Sequence, residues 1–132
     1  MAKKKIFVSY DYDNDRNYKN LLLGWSFHPD IEFSMNDRSA DVSIQSYSAV
    51  VIKRAISAKI NDATYFLILV GKDTWKSSWC NWEIEKAIEL RKKIIAVKLN
   101  STNTTPAALY NIGAKWAMSF TLLGISKALE DA

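Results

Sequence analysis

The chain has 132 residues, 48% of them hydrophobic and 24% charged, with a formal net charge of +4. That balance suits one folded core and excludes a disordered or collagen-like chain. The longest apolar run, Tyr65 to Val70, is far too short for a bilayer span, and the lysines do not gather into a phosphate-tracking stripe.

Ile6-Phe7-Val8-Ser9-Tyr10 is a short apolar run that predicts a buried strand, entered directly from Lys3-Lys4-Lys5 with no cleavable signal expected. The turn Asp11-Tyr12-Asp13-Asn14-Asp15 follows and supplies several helix-capping candidates. Tyr18, Leu21, Leu22 and Trp25 then share one helical face, and Gly24 and His28-Pro29 end the helix. Ile31 to Met35 alternates like a strand near the sheet edge. Asn36 to Ser48 is polar and turn-rich, the longest irregular stretch. A second helix from about Ser46 turns Ala49, Ile52, Ile56 and Ile60 inward and closes at Asn61-Asp62.

Thr64 to Val70 is continuously apolar and rich in β-formers, as a central strand covered on both faces requires. Ser77-Ser78 caps a third helix running to about Lys92. Ile94 to Leu99 is the fourth strand, and a short helix is expected at Ala107 to Asn111. Lys115 to Phe120 forms the last strand and Thr121 to Glu130 the last helix. Strands alternating with helices predict a single domain, residues 1–132, of three α/β/α layers. The expectation is a flavodoxin-like, five-stranded parallel sheet of order 2-1-3-4-5.

In that order ligands bind where the first and third strands diverge. The cleft would be lined by Ser9-Tyr10-Asp11 and Val70-Gly71-Lys72, with Trp79 to Glu83 as one wall and the loop Asn36 to Ser43 reaching over it. Cys80, Ile84, Ala87 and Ile88 form the expected core stripe of the third helix, which puts Glu83 at its border and Glu85 in solvent. Glu83 is therefore the candidate catalytic carboxylate.

Other motifs are thin. The chain has neither a Gly-x-Gly-x-x-Gly nor a Walker loop. The lone His28 reads as a loop residue. Cys80, the only cysteine, reads as core packing, excludes an internal disulfide and fits a reducing cytoplasm. Asp11, Asp13 and Asp15 have the spacing of an EF-hand start without its glycine or distal glutamate, so capping is preferred to a metal site.

Four segments carry a family resemblance. They are Phe7 to Arg16, Lys19 to Leu22, Ile68 to Thr74, and Ser78-Trp79-Cys80-Asn81-Trp82-Glu83-Ile84. With that spacing the sequence resembles TIR-like domains, in the branch found in bacterial Thoeris anti-phage defence. The resemblance implies a cytoplasmic enzyme that cleaves NAD between nicotinamide and ribose and makes a cyclic or conjugated ADP-ribose second messenger. It places the catalytic glutamate at Glu83 and its aromatic neighbour at Trp79. Ser9, Tyr10, Asp11, Asp37 and Trp75 are the expected substrate contacts, with NAD as substrate and neither a resident cofactor nor a metal. It further implies head-to-tail self-assembly on activation, a phage-derived trigger and a separate effector reached through the product. No nucleic-acid or membrane partner is expected. The loop Asn36-Asp37-Arg38-Ser39 lacks the Pro-Gly of animal receptor adaptors, which argues against an adaptor role. A non-enzymatic TIR interaction module is the alternative. A phospho-receiver is less suited, because Val70-Gly71 stands where its phosphorylated aspartate belongs.

Overall fold

The computed structural model describes residues 3–37, 45–46 and 48–132. Five strands, β1 (Lys4–Ser9), β2 (Phe33–Asp37), β3 (Tyr65–Val70), β4 (Lys93–Lys98) and β5 (Lys115–Ala117), form one sheet of order β2-β1-β3-β4-β5. All neighbouring pairs are parallel. Among the described residues four α-helices cover it: α1 (Arg16–Ser26), α2 (Ala49–Asp62), α3 (Ser78–Glu89) and α4 (Leu122–Asp131). The fold is thus the α/β arrangement that alternating strands and helices predict. No helix among the described residues is long and apolar enough to cross a membrane.

Strand alternation divides the core into two layers. Phe7, Phe66, Ile68, Val70 and Ala96 point toward α2 and α3, where Ile56, Ile60, Cys80, Ile84 and Ala87 meet them. Ile6, Val8, Tyr10, Leu67, Leu69 and Val97 point the other way, onto Leu22 of α1 and Ile125, Ala128 and Leu129 of α4. All six residues of β3 are buried, which explains why that strand lacks any polar alternation.

Several expected boundaries move, each for a visible reason. β5 ends at Ala117, three residues early, because Phe120 leaves the sheet to pack against α1. Its ring lies 5.0 Å from Tyr18, edge-on, and 5.2 Å from Trp25, stacked. α3 stops at Glu89, since Arg91 turns left-handed at φ 58° and reverses the chain into β4. The expected helix at 107–111 is a single 3-10 turn, Ala107–Leu109. α2 starts at Ala49, three residues after Ser46. Leu21 and Ile88, both expected on buried faces, are exposed, whereas Ser26 and Glu83 take inward positions.

Candidate active site

The connection from β3 to α3 sets the site. Thr74, fully buried in a 3-10 turn (Thr74–Lys76), donates its hydroxyl to the Leu69 carbonyl and accepts from the Gly71 N–H at 2.8 Å. The side-chain amide of Asn81 then donates to the carbonyls of Trp75 and Ser77, at 3.0 and 2.9 Å. Ser77 caps α3, its Oγ accepting from the Cys80 N–H. These bonds hold α3 at one angle to the sheet, and α3 carries Glu83.

Glu83 is 0% exposed, deeper than the border position expected from helix periodicity. The reason lies across the layer: Ser9, the last residue of β1, donates its hydroxyl to Glu83 Oε1 at 2.8 Å. Ser9 is itself fully buried. A buried carboxylate loses its hydration, and a hydroxyl aimed at it returns part of that loss. One turn earlier on α3, Trp79 is 8% exposed and stands edge-on to Trp82, centroids 5.8 Å apart. The ammonium groups of Lys53 and Lys86 lie 5.5 and 6.0 Å from the Trp82 ring centroid. Ser9, Glu83 and Trp79 therefore come together at the carboxyl end of the sheet, on its α2–α3 face.

The other expected contacts are more dispersed. Tyr10 follows Ser9 and so points to the opposite face, stacked on Tyr12 at 6.1 Å and beneath Lys19. Trp75 stands half exposed on the 3-10 turn. Asp37 ends β2, and the expectation for it concerns a side chain outside the described residues. The expected covering loop, residues 36–43, also falls largely outside them.

Asp11 belongs to the acidic turn that follows β1. Its carboxylate accepts from the Asp13 N–H and from Asn14 Nδ2, at 3.3 and 2.6 Å, and Asn14 also reaches Asp73 at 3.3 Å. Asp15, four residues on, is buried with its Oδ2 unpartnered among the described residues. It takes the N-cap position of α1 without making a side-chain capping bond, contrary to the expected capping role. Burial first, then the neighbouring carboxylates of Asp11 and Asp73, push its carboxyl up to about 6. Sequence reasoning missed this burial. The available signal was Gly71, where a Cβ would overlap the Asp15 carboxylate. Among the described residues no three His, Cys, Asp or Glu side chains are grouped to hold a metal ion.

The family model of the Thoeris protein ThsB TIR-like domain matches residues 7–104. The chain belongs to the Thoeris ThsB TIR-like family. The matched span contains every residue just placed in the site. A ThsB relative from Bacillus cereus (strain MSX-D12), named as a putative cyclic ADP-D-ribose synthase ThsB1, is 25% identical over 124 residues. That alignment takes in 92% of this chain and 63% of the relative, so this ThsB-family chain spans less than two thirds of it.

Solved structures share the ThsB-family fold at low identity. A 2-deoxyribosyltransferase from Bacillus psychrosaccharolyticus superposes with a TM-score of 0.63 at 12% identity, covering 88% of this chain and 87% of that one. The TIR domains of the activated Roq1 resistosome give 0.52 at 18% identity, covering 73% and 57%.

Proposed function

We propose that this protein cleaves NAD and converts it to an ADP-ribose-derived second messenger in anti-phage defence. The observation that carries the reading is the Ser9–Glu83 pair: one carboxylate buried at the carboxyl end of the sheet, oriented by a hydroxyl and set beside Trp79. Family membership and the name of the Bacillus cereus relative support the same reaction class.

The chemistry needs little more than that carboxylate. The bond between the ribose anomeric carbon and the nicotinamide nitrogen breaks, and its electron pair neutralises the pyridinium nitrogen. Nicotinamide leaves uncharged and requires no general acid. Positive charge develops on the ribosyl ring as in an oxocarbenium ion, and Glu83 offsets it. Trp79 gives the departing ring or the sugar an apolar wall and limits water. Capture of the anomeric carbon by a nucleophile of the same molecule closes a ring and releases one proton. Capture by a second acceptor gives a conjugate, and capture by water gives ADP-ribose.

Glu83 is 0% exposed, so side chains around it must shift before a substrate can touch it. Activation by a phage-derived trigger with head-to-tail assembly, and a product that acts through a separate effector, belong to the same proposal. Mass spectrometry of nucleotides from phage-infected cells carrying wild type or Glu83→Gln tests the proposal. NAD loss with a new ADP-ribose species in wild type alone is the expected result. Unchanged pools in both, with protection from phage intact, would refute it and leave an interaction module.

A further inference from the structure

The structure assigns a second, separate binding site to the β5 edge of the sheet, on the α2–α3 face, for an anionic ligand with a planar aromatic ring, of the mononucleotide class. Its seat is a cavity of about 380 Å³ between the end of β4 and the chain around β5, and it shares no lining residue with the Ser9–Glu83 pair. This inference does not depend on the catalytic reading.

Trp116 of β5 and Tyr110 form aromatic walls, with Met118 beside them and Leu109 among the lining residues. Tyr110 and Met118 are 62% and 57% exposed, so the walls present apolar surface that nothing among the described residues covers. The backbone is bent to shape this hollow: Asn111 at φ 61° and Gly113 at φ 74° both line it. Left-handed turns at Asn and Gly are tolerated there without a β-branched penalty.

Charge chooses the ligand. Lys98, the last residue of β4, lines the cavity with its ammonium 5.9 Å from the Trp116 ring centroid. One of its donors goes to the Asn103 carbonyl at 2.8 Å, which fixes the head and leaves two donors for an anion. No carboxylate lines the cavity among the described residues, while Thr105 and Asn111 supply neutral polar groups. A base or pyridine ring stacked on Trp116 or Tyr110 would bring a phosphate tail within reach of that lysine. Aromatic stacking with a fixed cation is the usual physical means of holding such ligands. The volume lies near the lower end of the ~300–1,000 Å³ of small-molecule sites, which favours a mononucleotide over an entire dinucleotide.

The test is calorimetric titration of the full chain with AMP, adenosine serving as the uncharged control. Tyr110→Ala, at an exposed position that leaves the core intact, should weaken AMP about tenfold or more. Lys98→Gln should weaken AMP and leave adenosine unchanged, and Glu83→Gln should leave both unchanged. Absence of AMP binding at ~1 mM overturns the inference. So does binding that Tyr110→Ala and Lys98→Gln leave intact while Glu83→Gln abolishes it. AMP binding here in a chain that leaves NAD untouched would uphold this site and remove the catalytic reading, and NAD cleavage without AMP binding would do the reverse.

Discussion

Replacing Asp15 by Asn should stabilise the protein at neutral pH and leave it unchanged in acid. The native carboxyl titrates near 6 against an ordinary 3.8, because burial and the Asp11 and Asp73 carboxylates disfavour its charge. As pH rises from about 4, the unfolded chain gives up this proton first and the native state keeps it. Unfolding then becomes progressively easier up to about pH 6, and the loss is constant above that. A native group held that far above its unfolded value costs the fold about 3 kcal/mol at most. Asp13 and Asn14 beside it are exposed, and water there screens part of the repulsion, so about 1–3 kcal/mol is the working range. For a chain of 132 residues this corresponds to roughly 4–11 °C in Tm. The assay is thermal and urea denaturation of wild type and Asp15→Asn across pH 4 to 8. The difference should be near zero at pH 4, open between 4 and 6 and stay level beyond. An offset that is the same at pH 4 and pH 7 would show that the effect comes from packing and that the reasoning is wrong.

Gly71→Ala should destabilise by about 1–3 kcal/mol, since its new methyl overlaps the Asp15 carboxylate. Asp15→Ala in the same chain should recover part of that loss in a double-mutant cycle, and strict additivity would count against the contact. Ser9→Ala removes the hydroxyl on Glu83 and should lower stability by about 1 kcal/mol in urea titrations. In the NAD assay the same variant should lose roughly tenfold or more in kcat with a smaller change in KM, as expected of a positioning residue. An unaltered kcat would separate Ser9 from the chemistry.

Much of the fold was legible because its signals are local. The run from Tyr65 to Val70 is short, apolar and rich in β-formers, which reads as a doubly covered strand, and it is buried throughout. The Ser77 cap and the polar punctuation between elements located α3 well. Glu83 was legible as a candidate, but its depth was not. Helix periodicity ranks faces by hydrophobicity, and a buried glutamate is counted as polar until its partner, 74 residues away at Ser9, is known. Tyr10 shows the same limit on a strand: it packs in the layer opposite Ser9, a separation that the linear run Ser9-Tyr10-Asp11 does not display. Asp15 read as a cap because caps are decided within a turn, whereas its close approach to Gly71 and the charge of Asp73 beside it come from another strand's exit. The lower half of β5 was overextended for a related reason, as Phe120 satisfies its apolar surface on α1.

The order of the sheet also governs how the chain emerges during synthesis. β1 sits between β2 and β3, and its inner edge pairs Ile6 with Tyr65, 59 positions later in the chain. At about 5–20 residues per second, that edge waits roughly 3–12 s on the ribosome before its partner exists. During the wait, Ile6-Phe7-Val8 is an apolar strand with unpaired amides, the kind of segment that recruits neighbouring chains. The lysines immediately before it, Lys3, Lys4 and Lys5, act as charged gatekeepers for that interval. Neutralising them should leave the finished domain nearly as stable and yet reduce soluble yield, most visibly when translation is fast and nascent chains are crowded.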